Sequence, residues 1–291
     1  MSFMAASPSR GWIVFHDTGQ DVTGYGALCS TRSRDRSIAS AGPQLWPPAL
    51  LASAADPDEA RMALLAGADI VDLKDPARGA LGACDPAVLA LAASARRRHA
   101  PDQALSAALG PARAPEAVTL AAVAGRLGFE YLKTGLDGAP DTRAAAAFLL
   151  PVGGAARRAA PGVRLIAAGY ADAQAVGSLE PADLPAAAAA AGFDGCLLDT
   201  AVKDGRSVID HLGHAGIAAF VRACRARRLL AAVAGSIGVA DLTRVVAAGP
   251  DVIGARGALC DGGRRGRLDP GRVRDFRAAL RSAARPNAAS G

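Results

Sequence analysis

From Pro48 onward the chain repeats one pattern, in which a short apolar run is followed by an alanine-rich stretch whose apolar positions recur at helical spacing. Eight runs can be counted: PALLASAA, ADIVDLK, ALSAALG, FEYLKTGL, VRLIAAGY, GCLLDT, LLAAVAGS and DVIGARGAL. Each is bounded by helix punctuation. Asp56-Pro57, Asp85-Pro86 and Asp269-Pro270 read as helix starts, because an Asp can cap the free N–H groups and proline is tolerated in the first turn. The glycines of LLAGADI, RLGFEY, AAGFDG and VAAGPDV read as helix stops, where the chain must turn through a left-handed residue.

Short buried runs alternating with helices describe βα units around a parallel sheet. Eight such units predict an α/β fold of the (β/α)8 (TIM) barrel type, and no GxGxxG follows the first run to favour an open dinucleotide-binding sheet. Residues 1–45 are polar, rich in Gly, Ser and Arg, and lack sustained periodicity. They are expected to be an N-terminal extension, poorly ordered, on a single catalytic domain over 46–286.

Composition narrows the function. With 51% hydrophobic residues in 291, the chain can bury a large core, and it has no apolar run of membrane-spanning length, so it reads as soluble and cytoplasmic. Cys29, Cys84, Cys196, Cys224 and Cys260 are scattered without a CxxC pair and read as reduced thiols. His211 and His214 have no third ligand at metal spacing, so no metal site is expected. The net charge of +6 is local: from Arg256 to Arg285, nine arginines face three aspartates, which accounts for the whole surplus. Aromatic residues make up only 4% of the chain, too few for base-stacking, so a small anionic ligand or a solvated helix face is expected rather than nucleic acid. A homo-oligomer is compatible with the sequence, which does not specify one.

The candidate chemistry lies in the choice of cations. Among 33 Lys and Arg residues the only lysines are Lys74, Lys133 and Lys203. Arginine keeps its proton in proteins, whereas a buried lysine can be shifted to a free amine that serves as nucleophile or base. All three lysines fall in or just after even-numbered strand candidates, and barrels place their chemistry at the carboxyl ends of strands. Asp72 stands on the same strand face as Lys74, and Asp199 ends the run before Lys203. Such a cluster can hold one lysine neutral for carbonyl attack and another ready for proton transfer. The loops after the last two runs, AVAGSIG and IGARGALCDGG, carry Gly235, Ser236, Gly254 and Gly257, which let the backbone approach a phosphate, with Arg256 as a charge-assisted partner.

The segments DIVDLKDPARGALG, YLKTGL, AAGYADAQAVGSLEP, LLDTAVKDG, AGSI and GARGALC, in this order, resemble the (5-formylfuran-3-yl)methyl phosphate synthase family of methanofuran biosynthesis. The resemblance implies a TIM-barrel lyase that condenses two molecules of glyceraldehyde 3-phosphate without a cofactor. It implies that Lys74 forms the Schiff base and Lys133 transfers protons, with Asp72, Asp199 and Lys203 in support. The residues alone leave two alternatives open, a generic lysine-dependent aldolase or transaldolase on sugar phosphates and a non-catalytic barrel that binds phosphorylated metabolites.

Overall fold

The computed structural model describes residues 46–285. The proposed extension, residues 1–45, lies outside the described residues. Eight parallel strands, β1 (Ala49–Ala54), β2 (Ile70–Leu73), β3 (Ala104–Pro111), β4 (Tyr131–Gly135), β5 (Arg164–Tyr170), β6 (Gly195–Asp199), β7 (Leu230–Val233) and β8 (Val252–Ala255), close in sequence order, with β8 pairing to β1. Helices α1 (Pro57–Leu65), α2 (Pro86–His99), α3 (Pro115–Arg126), α4 (Thr142–Ala159), α5 (Leu184–Ala190), α6 (Val208–Ala226), α7 (Leu242–Ala247) and α8 (Pro270–Ala283) follow the strands in turn. Each of the eight apolar runs holds one strand, β3 extending one residue beyond its run to Pro111.

The helix punctuation works as its chemistry requires, with one exception. Asp56 accepts from the Glu59 N–H at 2.8 Å and Asp269 from the Arg272 N–H at 2.7 Å. Asp85 makes no such bond, and its carboxylate faces Arg78 at 3.2 Å instead. Gly67, Gly128, Gly192 and Gly249, the four helix stops, all have positive φ, between 69° and 86°.

Strand alternation sorts the core into two layers. Leu50, Val71, Leu105, Leu132, Leu165, Leu198, Val233 and Ile253 pack outward under the helices, while Leu51, Ile70, Tyr131, Ile166, Leu197 and Val252 fill the barrel. Each fully buried leucine or isoleucine contributes about 1.5–3 kcal/mol relative to exposure, so both layers hold the strand register. Along each strand the inward positions are two residues apart. Moving towards the carboxyl end they change from Leu51 to Ser53, from Ile70 to Asp72 and Lys74, from Tyr131 to Lys133, and from Leu197 to Asp199. The barrel is therefore apolar at its base and ionic at its top. A shift of one residue in register would send every one of these polar groups under the helices.

Candidate active site

The inward-facing top of the barrel opens into a cavity of about 280 Å³, lined by Lys74, Lys133, Lys203 and Asp199 on one side and by the loops after β7 and β8 on the other. That volume lies just under the range of drug-sized pockets and suits a small metabolite. Lys133 is the middle residue of β4, and its ammonium donates to Asp72 at 2.7 Å. Asp72 also accepts from the Ser53 hydroxyl at 3.3 Å and is fully buried beneath the cavity. Lys203 donates to Asp199 at 2.9 Å, and to the Thr200 carbonyl and hydroxyl at 2.6 and 2.9 Å. These bonds lock two of the three ammonium groups in place.

Lys74 differs from both. Its N–H extends the β2 ladder by one residue, bonding the Ala54 carbonyl at 3.0 Å, so the backbone beneath the side chain is fixed. Lys74 is 7% exposed and its amine donates no hydrogen bond among the described residues; its nearest counter-charge there is Asp199 at 4.0 Å. Burial pushes its pKa down to about 8, the nearby Lys133 and Lys203 add to the effect, and Asp199 with Asp72 opposes it. Asp199 itself is held at about 2: burial alone would raise it, but Lys203, Lys74 and the Thr200 N–H outweigh that cost. It stays a carboxylate at any working pH. The arrangement thus provides a lysine that is neutral in part at neutral pH, next to a permanent negative charge that can stabilise a cation formed on it.

The opposite wall is backbone. Gly235 and Ser236 both have positive φ, 99° and 54°, so the chain turns sharply out of β7. A Cβ at Gly235 would stand 3.0 Å from the Thr200 N, which means only glycine lets this loop close against the Lys203 loop. None of the described hydrogen bonds is donated by the N–H groups of Gly235, Ser236, Ile237 or Gly257, all of which line the cavity together with Gly254. Free N–H groups at strand ends are what an anionic oxygen requires.

Arg256 sits differently from its expected place as a phosphate partner. It reaches the cavity wall, but its guanidinium is spent: Nη1 donates to Glu59 at 2.8 Å and to the Ser53 carbonyl at 3.1 Å, Nε to the Arg264 carbonyl at 2.9 Å and Nη2 to the Gly266 carbonyl at 3.3 Å. Glu59, on α1, is 2% exposed and also accepts the N–H groups of Ala55 and Leu268 at 2.8 and 3.1 Å. Burial would raise the Glu59 carboxyl, yet Arg256 and these N–H groups hold it below its usual value. Arg256 is a post joining the β8–α8 loop to α1.

Several residues of the site escaped the sequence reading. Thr200 fixes the Lys203 ammonium, and Asp172, just past β5, accepts the N–H groups of Ala201 and Val202 at 2.7 and 2.8 Å, so it anchors the loop that carries Lys203. Its position at a strand end was the available signal. Glu59 gave none, since an acid in the first turn of a helix usually faces water.

Fold and site together define a (β/α)8-barrel enzyme with a lysine–aspartate centre at the carboxyl ends of its strands. Its shape is shared widely at low identity. KGPDC from Streptococcus mutans superposes with a TM-score of 0.56 at 13% identity, over 81% of this chain and 98% of that one. Phosphoribosyl anthranilate isomerase from Thermus thermophilus gives 0.53 at 15% identity, over 80% of this chain and 98% of that one. Sequence relatives are far more specific. The (5-formylfuran-3-yl)methyl phosphate synthase of Methanothermobacter thermautotrophicus is 40% identical over 237 residues, covering 80% of this chain and 99% of that protein. Its counterpart from Methanocaldococcus jannaschii is 37% identical over 233 residues, 78% of this chain and 97% of that protein. The 4-HFC-P synthase family profile matches residues 50–277. The chain belongs to the 4-HFC-P synthase family of methanofuran biosynthesis. Among the described residues, no helix is long and apolar enough to cross a membrane.

Proposed function

We propose that this chain is a lyase that joins two molecules of glyceraldehyde 3-phosphate into (5-formylfuran-3-yl)methyl phosphate through an imine on Lys74. The carrying observation is the Lys74 amine itself, buried beside Asp199, without a hydrogen bond to any described residue, its pKa pushed down to about 8 by burial. The neutral amine attacks the aldehyde carbon of one triose phosphate, a C–N bond forms, and water leaves to give an iminium. The fixed Asp199 carboxylate stabilises that cation. The iminium acidifies the adjacent carbon, and Lys133, hydrogen-bonded to Asp72, moves the proton. Elimination of inorganic phosphate, carbon–carbon joining to the second triose and ring closure complete the conversion, with loss of one phosphate and two waters balancing the atoms. Lys203 keeps Asp199 ionised and in place. The free N–H groups of the β7 and β8 loops hold a substrate phosphate, with Gly235, Ser236, Gly254 and Gly257 allowing its close approach.

The test is incubation of the protein with glyceraldehyde 3-phosphate alone. A furan chromophore with release of phosphate is expected, whereas a hexose phosphate as sole product would assign an aldolase. The pH dependence follows from the sign of the Lys74 shift. The reactive form is the neutral amine, so kcat/KM should rise about tenfold per pH unit up to about 8 and level off above it. The same depressed value makes the folded state resist protonation of Lys74. That cost to stability is full below about 8 and vanishes as pH rises towards 10.5. A rate profile flat from pH 6 to 9 would contradict the neutral-amine mechanism.

A further inference from the structure

Five cations line the cavity: Lys74, Lys133, Lys203, Arg256 and Arg264. Four of them have a carboxylate within 4.0 Å. Lys74 and Lys203 share Asp199, Lys133 has Asp72, and Arg256 has Glu59. Arg264 has none among the described residues. Among the described residues its side chain makes one hydrogen bond, from Nη2 to the Gly79 carbonyl at 2.8 Å, across from the β8–α8 loop to the loop that follows Lys74. Its side chain is half-buried, and burial weighs against its charged form, so the guanidinium is held where water screens it poorly. A guanidinium has five N–H donors, and only one is used here. With three carboxylates for five cations, the cavity lacks negative charge on the side where the unbonded N–H groups of the β7 and β8 loops lie. A Cβ added to Gly257 would stand 3.6 Å from the Arg264 N, so this arginine springs from beside those N–H groups.

We propose that Arg264 is the side-chain cation of the phosphate subsite, and that Arg256 acts on substrate only by holding the Arg264 loop. The proposal deepens the reading of this cavity as a site for phosphorylated trioses and rests on it. Arg256 bonds the carbonyls of Arg264 and Gly266, and so clamps the loop on either side of Arg265. The bond to Gly79 aims the Arg264 fork across the mouth. A phosphate oxygen entering along the β8 loop would meet the Gly257 N–H and the unused donors of Arg264 together.

The experiment measures inorganic phosphate affinity by calorimetry, and KM and kcat with glyceraldehyde 3-phosphate, for the wild type, Arg264→Gln and Arg264→Lys. Glutamine can still donate to the Gly79 carbonyl but has no charge, whereas lysine keeps the charge. Arg264→Gln is expected to weaken phosphate binding and raise KM about 10- to 100-fold with little change in kcat, and Arg264→Lys to recover most of that loss. Wild-type phosphate affinity in Arg264→Gln would overturn the assignment. So would equal losses in both variants accompanied by a lower Tm, which would make Arg264 a structural tie, and so would a wild-type protein that binds no phosphate. Absence of furan product from a wild-type protein that binds phosphate would contradict the reaction alone, and the affinities of the variants would still decide the role of Arg264.

Discussion

Lys74→Arg should leave a folded barrel that has lost at least about a thousandfold in kcat, as removal of a nucleophile does. Arginine keeps the positive charge and the approximate reach, so the ion pair with Asp199 survives while the neutral amine is lost. Charge alone would be enough for a protein that only binds a phosphorylated metabolite, and such a protein would keep most of its affinity after the change. Unchanged thermal unfolding with the rate gone is the expected pair of results. A variant retaining more than about a tenth of wild-type turnover would remove Lys74 from the chemistry.

The second large effect is on stability. Arg256→Ala should lower unfolding free energy by about 3–5 kcal/mol, the usual cost of stripping one partner from a buried ion pair. Glu59 would be left 2% exposed with only the N–H groups of Ala55 and Leu268, and the β8–α8 loop would lose its clamp. Denaturant unfolding of Arg256→Ala, Glu59→Leu and the double variant Arg256→Met with Glu59→Leu measures this. The double variant should lose less than the two single losses added together, because it leaves no buried charge without its partner although the backbone groups that Glu59 and Arg256 bond are still stripped. If Arg256→Ala unfolds like the wild type and only KM rises, Arg256 is a substrate ligand after all.

The contrast between Arg256 and the lysines shows what the sequence could reveal. The strands were legible because each buried run is short and flanked by helical spacing, and four of them, β2, β4, β6 and β8, follow a glycine that the structure holds at positive φ. Lys74, Lys133 and Lys203 were legible because an arginine-rich chain retained lysine only there, and strand ends in a barrel converge whatever their sequence separation. Arg256 looked like the phosphate ligand because it stands in a glycine-rich loop after β8. Its true partner, Glu59, lies 197 residues earlier, and no local pattern announces that a carboxylate will fold inward to meet it. Arg264 was hidden for the opposite reason. It sits in GGRRGR, where every arginine looks equally solvated, and only the closing of the loop over the cavity sets it apart from Arg265, which is exposed. Asp85 failed as a cap in the same way: the Asp-Pro signal was sound, but a nearby Arg78 competed for the carboxylate.

The imine on Lys74 is the centre of the account, and borohydride trapping tests it most directly. Borohydride added during turnover of glyceraldehyde 3-phosphate should reduce the iminium to a stable secondary amine, and mass spectrometry should locate the adduct on the peptide containing Lys74. The same treatment without substrate should leave that peptide unmodified, and Lys133→Arg should turn over slowly while still accumulating the adduct. An adduct confined to Lys133 or Lys203, or none on any lysine of an enzyme that is forming product, would contradict the assignment of Lys74.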